Sequence, residues 1–185
     1  MREAVPNRAS GRTTRGGAAI ALAGFAPFCA IPASAQAESV IDPVAAVIDV
    51  SRFTSWPEGA ELGLSFRICV RDDDPAIAKL LKAERQTVKG RPISVHTVPP
   101  QRMALYPCHA TYFSDGYASG SVMAGLADKA VLTISPQSGF ARSGGIVEVQ
   151  DHQGQMHLVI DKARARTHSL RLSAPLLEIA GEPSE

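Results

Sequence analysis

No stretch of this 185-residue chain carries a catalytic or nucleotide-binding fingerprint. The G-x-S-x-G nucleophile turn, the H-E-x-x-H zinc helix and the phosphate-cradling Walker loop are all missing. Ser, His and Asp are present, as in any domain of this size, so the reading is of a non-catalytic protein without cofactor. Only one long apolar run occurs, from Ala18 to about Ala30, and Pro27 and Pro32 interrupt it. It is shorter than the roughly 20 residues a membrane-crossing helix needs, so no membrane insertion of the working protein is expected. Cysteine is scarce, with three residues in all.

The apolar run follows Arg2, Arg8, Arg12 and Arg15 and precedes Ala35-Gln36-Ala37, the small-x-small pattern of a cleavage site. Residues 1–37 therefore read as a signal peptide, and residues 38–185 as one exported, periplasmic domain beginning at Glu38. No twin arginine is present. Cys29 follows Ala26-Pro27-Phe28 rather than a leucine and two small residues, which argues against a lipid anchor. Removal of the segment leaves 15 Lys+Arg against 17 Asp+Glu, a net charge near −2. Without basic clusters such a surface is a poor partner for nucleic acid, whose affinity comes mostly from neutralised phosphates.

Cys29 leaves with the signal, so Cys69 and Cys108 remain as a pair in an oxidising compartment, where a disulfide is expected. A metal site built from the two cysteines and His109 is the competing reading. It lacks the close-spaced ligand pairs such sites use.

Along the exported chain, Asp42-Pro43 opens a helix with a Val44, Val47, Ile48 stripe that stops by Trp56-Pro57. Leu64, Phe66, Ile68 and Val70 alternate with polar residues and Cys69 as a strand does. Asp72-Asp73-Asp74-Pro75 caps a helix carrying Ile77, Leu80 and Leu81 on one face, and lacks the alternating spacing of a calcium loop. Further strands are expected at Ile93–Val98, Ala110–Phe113 and Ala130–Ile134, with a short helix around Val122 to Ala127. Ile146–Val149 and Met156–Ile160 form a hairpin about Asp151-His152-Gln153-Gly154. A helix from about Lys162 and an apolar tail with Leu172, Leu176, Leu177 and Ile179 follow. The order predicts a single α/β domain, a mostly parallel β-sheet with helices on both faces and an antiparallel edge hairpin.

Several short motifs occur in a characteristic order along nearly the whole exported chain. They are Phe53, Trp56 and Pro57 ending the first helix; Leu64 to Val70 with Cys69; Gly90-Arg91-Pro92-Ile93; and Cys108-His109 opening a strand. Leu132-Thr133-Ile134-Ser135, Phe140, Gly144-Gly145-Ile146, Ile160-Asp161 and Leu176-Leu177 follow. In this the chain resembles the YfiR/HmsC family of periplasmic proteins. It departs from the family in Asp161, where an Asn is usual, and in lacking the second cysteine pair of well-studied members. The resemblance implies a non-catalytic regulator, often dimeric, that binds the periplasmic part of an inner-membrane diguanylate cyclase and represses it, lowering cyclic-di-GMP and biofilm formation. Relatives also occur beside sensor kinases and outer-membrane receptors, so the alternative is a small-ligand sensor.

Candidate functional residues each have a plain structural reading beside the functional one. Phe53 belongs to the same motif as Trp56, the only tryptophan, which is either an interface anchor or a ring packed on the sheet edge. Gly144 and Gly145 either cradle an anion or turn the chain into a strand. His109 either tunes the neighbouring sulfur or is an ordinary hydrogen-bonded histidine. Arg91, held between Gly90 and Pro92, either presents a guanidinium to a carboxylate or phosphate or pairs with a local acid. Ser135, Arg142 and Ser143 lie on loops at strand ends, where open α/β sheets bind ligands.

Overall fold

The computed structural model describes residues 42–60 and 63–183. The expected export segment, with Cys29 and the cleavage site, lies outside the described residues. No described helix is long and apolar enough to cross a membrane.

Helix α1, Pro43–Arg52, begins where the Asp42 carboxylate accepts the N–H of Val44 at 3.0 Å. It is followed by β1, Thr54–Ser55, and by β2, Phe66–Arg71. One turn of helix, α2 (Ile77–Leu80), runs into a 3-10 helix, Leu81–Arg85. Strands β3 (Thr87–Val88) and β4 (Arg91–Val98) come next, then a second 3-10 helix, Pro100–Leu105. Strand β5 (Ala110–Tyr112), helix α3 (Gly120–Leu126) and strand β6 (Leu132–Ser135) lead to a hairpin of β7 (Val147–His152) and β8 (Gln155–Ile160). Helix α4 (Lys162–Thr167), strand β9 (Arg171–Leu172) and helix α5 (Ala174–Ile179) complete the described chain.

Seven strands form one sheet in the order β3-β4-β2-β5-β6-β7-β8. The five central strands are parallel, while β3 and β8 pair antiparallel at the two edges. The α/β sheet expected from the strand and helix order is thus observed, with an antiparallel pair at each edge instead of one. Strands β1 and β9 form a separate two-stranded ladder.

Alternation along β2 sends its side chains to two cores. Phe66, Ile68 and Val70 join Val47 and Ile48 of α1 under one face, and Cys69 joins Met103, Val122, Leu126 and Phe140 under the other. The sheet is therefore covered on both faces. Cys69 and Cys108 are disulfide-bonded within the second core, tying the middle of β2 to the residue pair that opens β5.

Three local expectations are corrected. Leu64 is not a strand residue and stands 93% exposed, because the β2–β4 ladder starts at Phe66 opposite Ile93. Leu81 faces solvent, because the helix tightens to 3-10 after Leu80 and the 3.6-residue stripe is lost. Ile179 is 72% exposed at the end of α5, where Leu176 alone is buried.

Candidate binding site around Trp56

The chain leaves α1 at Phe53, whose carbonyl accepts the N–H of Ser173 at 2.9 Å. Thr54 and Ser55 then pair with Leu172 and Arg171, so the first helix and the C-terminal segment meet side by side. Phe53 itself is exposed there. Trp56 follows and turns inward, half-buried, with its ring edge-on to Phe66 at 5.3 Å and to His109 at 5.8 Å. Its indole N–H donates to the His109 carbonyl at 3.0 Å.

His109 is buried and stacks on Phe66, with ring centroids 4.8 Å apart. Its Nδ1 accepts the backbone N–H of Arg67 at 2.9 Å, which places the proton on Nε2. That Nε2 has no partner among the described residues. Burial, reinforced by the positive charges of Arg91 and Arg67, pushes the imidazole pKa down to about 4. A ring that stays neutral at ordinary pH offers no charge to a thiolate, and Cys108 beside it is already oxidised.

A cavity of about 680 Å³ opens beside Trp56, lined among others by Ser55, Glu58, Arg166, Ser169 and Arg171. Ser169 adopts the left-handed backbone region, φ 57°, in the turn that ends α4. The Ser169 N–H bonds the Arg166 carbonyl and the Leu170 N–H bonds the Ala165 carbonyl, both at 2.9 Å. This is the closed helix terminus at which glycine is usual. It turns the chain so that Arg166, on α4, and Arg171, on β9, line the same cavity. Neither guanidinium has a carboxylate within ion-pair distance among the described residues. Two guanidinium groups against the single carboxylate of Glu58, with two hydroxyls and an indole, suit a small anion with a flat apolar part.

Sequence reasoning missed Arg166, Ser169 and Arg171. The signal available was the basic run from Lys162 to Arg171, which reads as an ordinary solvated helix face until β9 folds it back onto β1.

The other expected residues lie elsewhere or serve the fold. Arg91 donates through Nη2 to the carbonyls of Gly63, at 2.6 Å, and Ser65, at 3.2 Å, so it pins the backbone before β2 rather than meeting an acid. Ser135 ends β6 and its hydroxyl accepts the N–H of Gln137 at 3.0 Å. Arg142 and Ser143 are exposed on the β6–β7 connection. Gly144 there has φ 104°, and a Cβ on Gly145 would overlap the ring of Phe140. Phe140 packs in the core under the opposite sheet face from Trp56, so this second group does not join the first.

At the C-terminal ends of β2 and β5, where open α/β sheets commonly hold ligands, side chains that follow the strands bond to one another. Buried Asp74 accepts the Ser114 hydroxyl at 2.6 Å and the Ser114 N–H at 2.9 Å. Arg71 pairs with Asp73 at 2.7 Å and donates to the Tyr117 carbonyl at 2.7 Å. The cavity beside Trp56 is at the other end of the sheet, by the starts of β2 and β5.

A comparison with curated proteins returned no match. A family model for the YfiR/HmsC-like domain matches residues 44–181, from the first turn of α1 through α5 to the bridge that Gly181 makes with β8. With the motif order, the two-faced sheet and the buried disulfide, that span makes the chain a member of the YfiR/HmsC-like family.

Proposed function

We propose that the protein is exported to the periplasm and, as a homodimer, binds the periplasmic part of an inner-membrane diguanylate cyclase and holds it inactive. The observation that carries this reading is family membership over residues 44–181. The signal-peptide pattern of residues 1–37 and the Cys69–Cys108 bond support the oxidising compartment. Repression needs no chemistry, only tighter binding to one state of the cyclase than to the other. The exposed Phe53 and half-buried Trp56 give the docking surface an aromatic anchor of the kind that dominates interfaces. The test is recovery of the chain from crosslinked, detergent-solubilised membranes. A co-purified protein with a cyclase output domain is expected, and its consistent absence would sink the reading.

The cavity between Trp56, Arg166 and Arg171 favours a second reading, a sensor of a small periplasmic anion. A thermal shift with a carboxylate- or phosphate-bearing metabolite, in the absence of any partner protein, separates it from pure protein docking.

A further inference from the structure

We propose that the exposed tip of the β7–β8 hairpin is a two-histidine site for a divalent transition metal, with His152 and His157 as ligands and copper(II) preferred over zinc. This goes beyond the regulatory reading and is independent of it.

The hairpin is closed by Gln153 and Gly154, with φ 55° and 84°, the tight two-residue turn whose twist matches paired strands. Its register sets His152 opposite Gln155 and His157 opposite Gln150, so the two histidines are diagonal neighbours on one face. Both are exposed, and their ring centroids lie 4.8 Å apart. With metal–nitrogen bonds of about 2.0–2.1 Å, each centroid would stand about 3.2 Å from a shared ion and the pair would subtend roughly 100°. That angle lies between tetrahedral and cis square-planar, and either geometry is completed by water.

A supporting relay fixes one ligand in its binding form. The carboxylate of buried Glu148 accepts from Gln150 Nε2 at 2.8 Å, which settles the orientation of the Gln150 amide. The Gln150 Oε1 that faces His152 Nε2 at 2.9 Å can then only accept, so the imidazole proton sits on Nε2. The Nδ1 lone pair of His152 is left for a metal. Metal-bound histidines are oriented by just such a hydrogen bond from the other ring nitrogen. Glu148 is itself anchored by the Ala141 N–H at 3.3 Å. Among the described residues no group of three or more His, Cys, Asp or Glu could hold a metal, so the two histidines would be the only protein ligands and the remaining positions would be open. Imidazole pairs of this kind select copper and zinc over magnesium or calcium, and copper over zinc.

The test is titration calorimetry of tag-free exported protein with copper(II) and zinc near pH 7.5, joined by electron paramagnetic resonance of the copper form. One copper per chain is expected, with hyperfine coupling to two imidazole nitrogens and weaker zinc binding. His152→Asn and His157→Asn should each lower copper affinity at least tenfold, and the double variant should abolish the two-nitrogen spectrum. Gln150→Ala should weaken binding by about tenfold while leaving both ligands in place. The three side chains changed are at exposed or half-buried positions, so an unchanged melting temperature without metal confirms that the fold is intact. Undiminished copper binding in the double variant, a spectrum without imidazole nitrogen, or no uptake at all would overturn the proposal.

Discussion

Buried, neutral His109 ties the stability of this fold to pH. An imidazole ordinarily titrates near 6.5, and here the pKa is about 4 in the folded chain. Between those values the unfolded chain binds the extra proton, so stability rises with pH across that window and is flat above it. At about 1.4 kcal/mol per tenfold change in proton affinity, the penalty reaches roughly 3 kcal/mol near pH 4. Burial lowers the pKa of His168 as well, and its contribution has the same sign. Melting temperature should therefore fall between pH 7.5 and pH 5, and His109→Asn, which keeps an acceptor near the Arg67 N–H, should flatten part of that fall. An unchanged slope would remove His109 from the account. Gly145 supplies a second residue-scale case. Its Cβ position is taken by the Phe140 ring, so Gly145→Ala must displace a buried aromatic and should cost about 1–3 kcal/mol in urea unfolding. The Gly144-Gly145 pair was legible as a turn. That the second glycine makes room for Phe140 was not, because the two meet across a loop and no local pattern encodes that contact.

At the scale of elements, the disulfide has the clearest consequence. Cys69 and Cys108 close a loop with a sequence separation of 39, which by chain entropy stabilises the fold by about 4 kcal/mol. Reduction, or replacement of both by serine, should lower the melting temperature by a large and similar amount. Equal stability with and without the bond would contradict this. The C-terminal elements yield a different prediction. If Arg166 and Arg171 hold an anion, Arg166→Ala and Arg171→Ala should abolish any metabolite-induced thermal shift and leave the unliganded melting temperature within about 1 °C, since neither guanidinium has an ion-pair partner to lose among the described residues. A shift that survives both changes would place the ligand elsewhere. Elements with strong periodicity were readable: α1 from its Asp42-Pro43 start, β2 and β4 from alternation, and the hairpin from its turn residues. The two-residue strands β1, β3 and β9 were not, because partners distant in sequence or a tight turn define them and no period develops over two residues. The cavity depends on β1 meeting β9, so most of the candidate site was hidden for the same reason, while Trp56 was visible as a lone aromatic beside a proline.

For the molecule as a whole, membership of the YfiR/HmsC-like family over residues 44–181 supports the proposed regulatory role. At the C-terminal strand ends Asp74 bonds Ser114 and Arg71 bonds the Tyr117 carbonyl, while the candidate cavity lies at the opposite end, beside Trp56 and the two arginines. Regulation through a second disulfide, which the resemblance associates with well-studied relatives, has no counterpart in a chain whose three cysteines are Cys29, Cys69 and Cys108. The central claim, repression of a cyclase from the periplasmic side, is tested most directly by cellular cyclic-di-GMP in a deletion strain. The account predicts that cyclic-di-GMP rises on deletion, returns to normal with the full gene, and stays high when the gene lacks residues 1–37. Unchanged cyclic-di-GMP on deletion, or full rescue by the form without its export segment, would contradict it.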